Sequence, residues 1–298
     1  MTKKTDRAKK RQPSYIFLFL FLSVLLSCKT KAEIVAPPPE TVPPFIADLE
    51  YSHIEAHDIN KISLHYRITA ENPYPQQVEY KINAWRLTIN DEPVEAELTI
   101  EGRHALGYTG TAAQKSRIEK NAILAINLDD KILTEDECNA ILSVNITLRH
   151  GGTEISEVIT EKVLFPRIRK PEFTITSIRI MRSELINTRF RVGIKIDNPN
   201  IFPLVISSFG YELYGEGRFW ASGRERNILT ILPRSSAETD FYFLMNFIDM
   251  TRKLLDDIIA LRQVNYLFSG DVDVRTDFPW MPVFKTTFTI SGQSPVVQ

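Results

Sequence analysis

Apolar and polar residues alternate along much of the chain beyond residue 44. Leu64, Tyr66, Ile68 and Ala70 interleave with His65, Arg67, Thr69 and Glu71; Phe190, Val192, Ile194 and Ile196 interleave with Arg191, Gly193, Lys195 and Asp197. A period of two predicts strands with one buried face. Both runs stop at the same dipeptide, Asn72-Pro73 and Asn198-Pro199. Proline has no N–H for a sheet ladder and disfavours helix in the residue before it, so each strand ends there in a turn. Thirteen residues beyond each asparagine stands an aromatic, Trp85 or Tyr211, with Leu87 or Leu213 two further on. A shift of 126 positions superposes the two stretches, which indicates an internal duplication.

The correspondence continues with slippage. Asn121 to Leu128 and Ser235 to Phe243 both alternate as strands at an offset of about 114, which places roughly a dozen extra residues in the first copy, most simply the Gly-containing loop Glu101 to Ser116. Each copy then offers a helix. Thr134-Glu135-Asp136-Glu137 reads as a capping box opening a short helix through Leu142. In the second copy Phe247, Met250, Leu254, Leu255, Ile258 and Leu261 recur at helical spacing. A closing hairpin follows each helix: Val144 to Leu148 turns at Gly151-Gly152 into Ile155 to Leu164, and Tyr266 to Val274 turns through Thr276 to Pro282 into Val283 to Ile290. The pattern predicts a mainly β protein of two tandem antiparallel β-sandwiches, each with one helix. They span 45–165 and 172–292, joined by the short basic linker 166–171 and followed by a tail, 293–298.

The N-terminus changes the setting. Lys3, Lys4, Arg7, Lys9, Lys10 and Arg11 precede an apolar run from Tyr15 to Leu26, the form of a secretory signal peptide over 1–27. Leu25-Leu26-Ser27-Cys28 resembles the lipobox of bacterial lipoproteins. That resemblance implies cleavage before Cys28, lipidation of its thiol and a membrane as first partner, with acyl chains enough for stable anchoring. Lys29 stands where an inner-membrane retention signal would place Asp, which by analogy with the enteric sorting rule favours the outer over the inner membrane of the envelope. Residues 28–44 hold five prolines and few large apolar side chains, so they predict an extended tether with a reach on the order of 50 Å.

Charge and chemistry narrow the function. A formal charge of −1 argues against a nucleic-acid partner, which needs a concentrated basic face. With Cys28 lipidated, Cys138 is the sole remaining cysteine and reads as a small buried hydrophobe. His53 and His57 lie near Glu55 and Asp58, but a spacing of four on a strand separates side chains by about 13 Å, which suits surface histidines better than a metal site. Asp271 and Asp273 share a strand face and read as its solvated side. The chain carries no hydrolase, phosphate-loop or metalloprotease motif, so no catalytic residue, metal or cofactor is expected and the chain reads as a non-enzyme. Two aromatic clusters, Phe219-Trp220 and Trp280-Met281, are candidates for an interaction patch at loop tips or for caps on the sandwich core.

Asn198-Pro199-Asn200, Tyr211, Leu213, Gly217, Ser222-Gly223 and Leu232-Pro233 together resemble the type 2 late embryogenesis abundant family, also called the water-stress and hypersensitive-response domain. The first copy keeps Asn72-Pro73, Trp85 and Leu87, with Tyr74 in place of the second asparagine. The resemblance implies an immunoglobulin or fibronectin III-like sandwich in which these motif residues are structural. It also implies an association with desiccation or water stress. Two further readings stand beside a protective or binding module: a carrier holding lipid in an apolar groove beside the helix, and a scaffold for another envelope protein.

Overall fold

The computed structural model describes residues 45–128, 134–183, 187–226, 229–246 and 263–297. Pro44–Gln298 forms a compact unit. Among the described residues every regular element is a strand.

In the first copy one sheet has the order β1 (Ile46–Ala56), β2 (Lys61–Glu71), β8 (Arg117–Asn127), β5 (Ala96–Ile100), β6 (Arg103–His104). The other runs β10 (Thr153–Pro166), β9 (Glu137–His150), β3 (Val78–Ile89), β4 (Glu92–Pro93), with β7 (Thr109–Ala112) also paired to β3. All these pairings are antiparallel. The alternating residues of both sheets meet in one core, where Leu64, Leu124, Leu142 and Val144 are fully buried.

The second copy joins its strands into one curled sheet. Its order is β14 (Arg218–Glu225), β13 (Leu204–Gly215), β17 (Gln263–Arg275), β18 (Val283–Val297), β11 (Glu172–Ser183), β12 (Asn187–Asp197), β16 (Ser236–Asn246), with β15 (Leu229–Ile231) on β13. The join is a short parallel contact of Ile178 and Arg179 with Val296 and Val297. Its core is aromatic: Phe209, Phe241, Phe268 and Phe288 cluster with ring centroids 4.6–6.2 Å apart.

The alternation read along β2 and β12 holds, with Phe190, Val192, Ile194 and Ile196 all buried on one face. The helix expected over Thr134 to Leu142 does not form. Cys138, Ala140, Leu142, Val144, Ile146 and Leu148 are all buried at alternate positions of β9, so the capping box is overridden by a strand period that pairs on both sides. The helix expected over Phe247 to Leu261 lies outside the described residues. The segment Glu101 to Ser116 is also more than a loop, since it contains β6 and β7.

Tight turns set the register. Asn90-Asp91 and Glu216-Gly217 connect β3 to β4 and β13 to β14, and all four residues have positive φ, as a two-residue type I′ hairpin requires. These turns are 126 residues apart, so the duplication includes them. Gly151-Gly152 makes a third such turn between β9 and β10.

Candidate functional site

The Asn-Pro dipeptides sit at equivalent buried nodes. Asn72 is 3 % exposed; its amide donates to the carbonyls of Gln76 (2.8 Å), Ala112 (3.3 Å) and Ala113 (2.8 Å), and its side-chain oxygen accepts the Tyr74 N–H at 2.9 Å. Asn198 does the same with Phe202 (2.8 Å), Ile231 (3.3 Å), Leu232 (3.1 Å) and the Asn200 N–H (2.9 Å). Each node ties the turn after one strand to the end of β7 or β15. The opposing turn repeats as well: Lys115 and Arg234 have positive φ, and the Ser116 and Ser235 hydroxyls donate to Ala113 and Leu232. Buried carbonyls left without these donors would each cost about 1–3 kcal/mol, so the asparagines hold the fold together and are not free to act on a ligand.

Asn200 adds a task that Tyr74 cannot perform. Its side chain accepts the Arg169 N–H (2.7 Å) and donates to the Arg169 carbonyl (2.9 Å), pinning the linker to the second copy. Arg169 in turn reaches Asp136 at 2.5 Å and the carbonyls of Thr134 and Glu135 in the first copy. Arg234 also pairs with Asp136, and two guanidinium groups hold this carboxyl below the usual range, the Arg169 hydrogen bond contributing most. Next along the linker, Arg167 is 1 % exposed and donates to Ile59 O, Asn60 Oδ1 and Leu128 O. A buried guanidinium is tolerated because its fork meets several acceptors at once. Ile168 between them enters the second core, and Trp280 packs against both cores. The linker is thus a clamp. Its sequence signal was the alternation of Arg167 and Arg169, which reads as simple basicity until Asp136 is placed beside it.

The aromatic candidates do not come together. Trp220 is 6 % and Met281 5 % exposed, both inside the second core, and Trp280 is half-buried on Phe278 at 5.5 Å. Phe219 alone is open, 56 % exposed, edge-on to Tyr214 at 5.7 Å. It lies beside the start of β17, whereas Trp280 follows the end of that strand. Tyr211 is buried over Gly223, where an added Cβ would lie 2.5 Å from the Tyr211 hydroxyl; Gly217 completes the hairpin turn; Trp85 is half-buried on the first core. Cys28 lies outside the described residues.

The titratable candidates each meet a neighbour. Asp271 takes a two-pronged bond from Arg224 (2.7 and 2.8 Å) that passes over Gly210, and Asp273 faces Lys285 at 3.9 Å. His53 stacks on His65 at 4.1 Å, and His57 bonds the Ser63 hydroxyl at 2.9 Å. Cys138 is fully buried, and loss of solvent pushes its thiol up to about 11. The apolar space between the first copy's sheets, lined by Ile68, Tyr80, Ile82 and Ile146, comes to about 10 Å³, room for a water at most and not for an acyl chain.

No family model and no curated protein matches the chain. Among solved structures, an Archaeoglobus fulgidus protein is 15 % identical over 43 % of this chain and 97 % of its own, with a TM-score of 0.28. An Arabidopsis thaliana protein is 14 % identical over 45 % and 86 %, with a TM-score of 0.37. A putative β-galactosidase from Bacteroides fragilis is 13 % identical over 76 % and 32 %, with a TM-score of 0.26. At scores this low the fold description rests on the strand pairing above and not on these neighbours.

Proposed function

We propose that the chain is a non-enzymatic lipoprotein of the bacterial envelope, anchored through Cys28, preferentially at the outer membrane. Its tether carries two type 2 late embryogenesis abundant-like domains, immunoglobulin or fibronectin III-like in class, as a protective or binding module associated with water stress. The observation that supports this reading is the clamp. A linker bonded into both copies, with Arg169 tied to Asp136 of the first and to Asn200 of the second, suits the pair to presenting a fixed surface at the end of the Pro-rich tether. The test is Cys28→Ser in the full chain: loss of membrane retention, or persistence of the unprocessed length, is expected. Unchanged retention and unchanged processed size would refute anchoring. Full-length protein reconstituted in vesicles should then reduce leakage on drying more than the unanchored variant, and equal leakage would remove the protective role.

A scaffold for another envelope protein is the second reading. It is favoured by β16, which among the described residues pairs with β12 alone and so leaves a long sheet edge for a partner strand.

A further inference from the structure

The end of the second sandwich away from the linker is chemically distinct. β11 leaves the linker at Glu172 and reaches this end at Arg179, β12 starts there, and β16 finishes there. On the outer face Arg179 lies opposite Arg191, which lies opposite Tyr242; Arg189 lies opposite Leu244 and places its guanidinium 5.2 Å over the Tyr242 ring. Like charges directly across a strand pair are unfavourable unless something else neutralises them. Asp240 pairs with Arg191 at 2.5 Å, and among the described residues of β11 from Arg179, β12 up to Gly193 and β16 from Asp240 it is the single acid. Large apolar side chains stand open at the same end: Leu244 at 68 %, Phe219 at 56 % and Met181 at 52 % exposed. The two halves of the sheet meet at this end, where Trp220, next to Phe219, lies 6.0 Å from Phe190 of β12. Toward the linker the outer face turns acidic, with Glu172 opposite Asp197 and Glu238 opposite Lys195.

We infer that this distal end docks onto an anionic phospholipid surface, Arg179 and Arg189 meeting lipid phosphates while Leu244, Phe219 and Met181 enter the headgroup boundary. Arginines set beside exposed aliphatic and aromatic side chains match the chemistry of that boundary, where rings and alkyl groups lie just below the phosphates. An acidic protein partner would satisfy the arginines and leave the open aliphatic tips in water. The inference rests on the membrane-surface reading above and names the surface the body touches once tethered.

The test uses residues 45–298, which form a compact unit containing both cores whole and lack the anchor, so binding here is separate from Cys28 lipidation. Co-sedimentation is measured with vesicles of phosphatidylcholine alone and with 30 % (roughly one lipid in three) phosphatidylglycerol. Binding to the anionic vesicles, weakened by salt, is expected. Arg179→Gln and Arg189→Gln should each lower it about fivefold and together about 25-fold. Leu244→Ser should lower it further, whereas Lys81→Gln with Arg86→Gln on the first copy should leave it unchanged. All of these side chains are exposed, and an unchanged melting temperature for each variant certifies its fold. No binding, equal binding to neutral vesicles, equal loss in the first-copy control, or full displacement by millimolar glycerol phosphate would each overturn the inference. Release of the full chain by Cys28→Ser bears only on the anchor.

Discussion

Strand β8 of the first copy and strand β16 of the second follow the same turn, Lys115-Ser116 in one and Arg234-Ser235 in the other, yet they end in different places. β8 lies inside its sheet, flanked by β2 and β5. β16 has β12 on one side and no described strand on the other. The difference begins just after the equivalent I′ turns. In the second copy β14 keeps pairing with β13 for eight residues. In the first, β4 stops after two at Pro93, which has no N–H to donate, and the chain crosses to the other sheet as β5. The offset between copies is 126 at the turns and 119 at Ser116 and Ser235, so seven added residues supply the crossing. A lost donor and a short insertion accompany the difference in which strand, among the described residues, lies at a sheet edge. Both cores seat rings over glycines, Tyr80 over Gly110 in the first and Trp220 over Gly215 in the second.

The strongest way to break the comparison is at the nodes. Asn72→Ala and Asn198→Ala each leave one buried carbonyl (Ala112 or Ile231) and one buried N–H (Tyr74 or Asn200) without a partner, and each should lower stability in urea by about 3 kcal/mol. Asn198→Ala should be the costlier, since its oxygen also accepts the Asn200 amide at 3.0 Å. A small cost at Asn72 alone would show that the copies share sequence without sharing a node. Next comes the ring-over-glycine packing. A Cβ at Gly215 would lie 1.7 Å from the Trp220 ring, so Gly215→Ala should cost about 1–3 kcal/mol and quench or shift the tryptophan emission.

A smaller effect is expected at the clamp. Asp136→Asn should loosen the body with a stability change of about 1 kcal/mol or less, because the pairs are partly exposed, and should widen the inter-copy distance distribution measured with paired spin labels. The pH dependence follows from the sign of its shift. The folded carboxyl titrates lower than the unfolded one, so its contribution is present above about pH 4 and is lost as pH falls through the depressed value; Asp136→Asn should lack that acid step. The smallest signal is chemical. With its thiol raised to about 11, Cys138 should stay unreactive to maleimide at pH 8 in the folded chain and react at once in urea. The raised value means its contribution is whole below the ordinary thiol range and fades as pH climbs toward 11.

Much of the fold was legible because alternation reports burial directly: β2, β12 and the hairpin of β9 and β10 follow from residue order alone. The Asn-Pro dipeptides were legible as turns and as fold signatures. Their acceptors were not, because Ala112 and Ile231 lie 40 and 33 residues away and offer only backbone. Thr134 to Leu142 misled because a capping box is a local signal, and neighbouring strands on both sides of β9 outweigh it. The equivalence of Asn90-Asp91 with Glu216-Gly217 escaped notice because positive φ was sought from glycine, and Asn and Asp also tolerate it. The slippage was overcounted because Asn121 was set against Ser235, whereas the equivalent turns match Ser116 with Ser235. The distal arginines were invisible as a group, being drawn from strands that only pairing brings together.

The nodes carry one more consequence, in chemical lifetime. An asparagine ages by deamidation when the backbone nitrogen of the next residue attacks its side-chain amide and closes a succinimide ring. Asn72 and Asn198 are each followed by proline, whose nitrogen carries no hydrogen and is already closed into a ring. The residue that ends each strand therefore also shields the amide on which the turn depends, and both nodes outlast an ordinary exposed asparagine without repair.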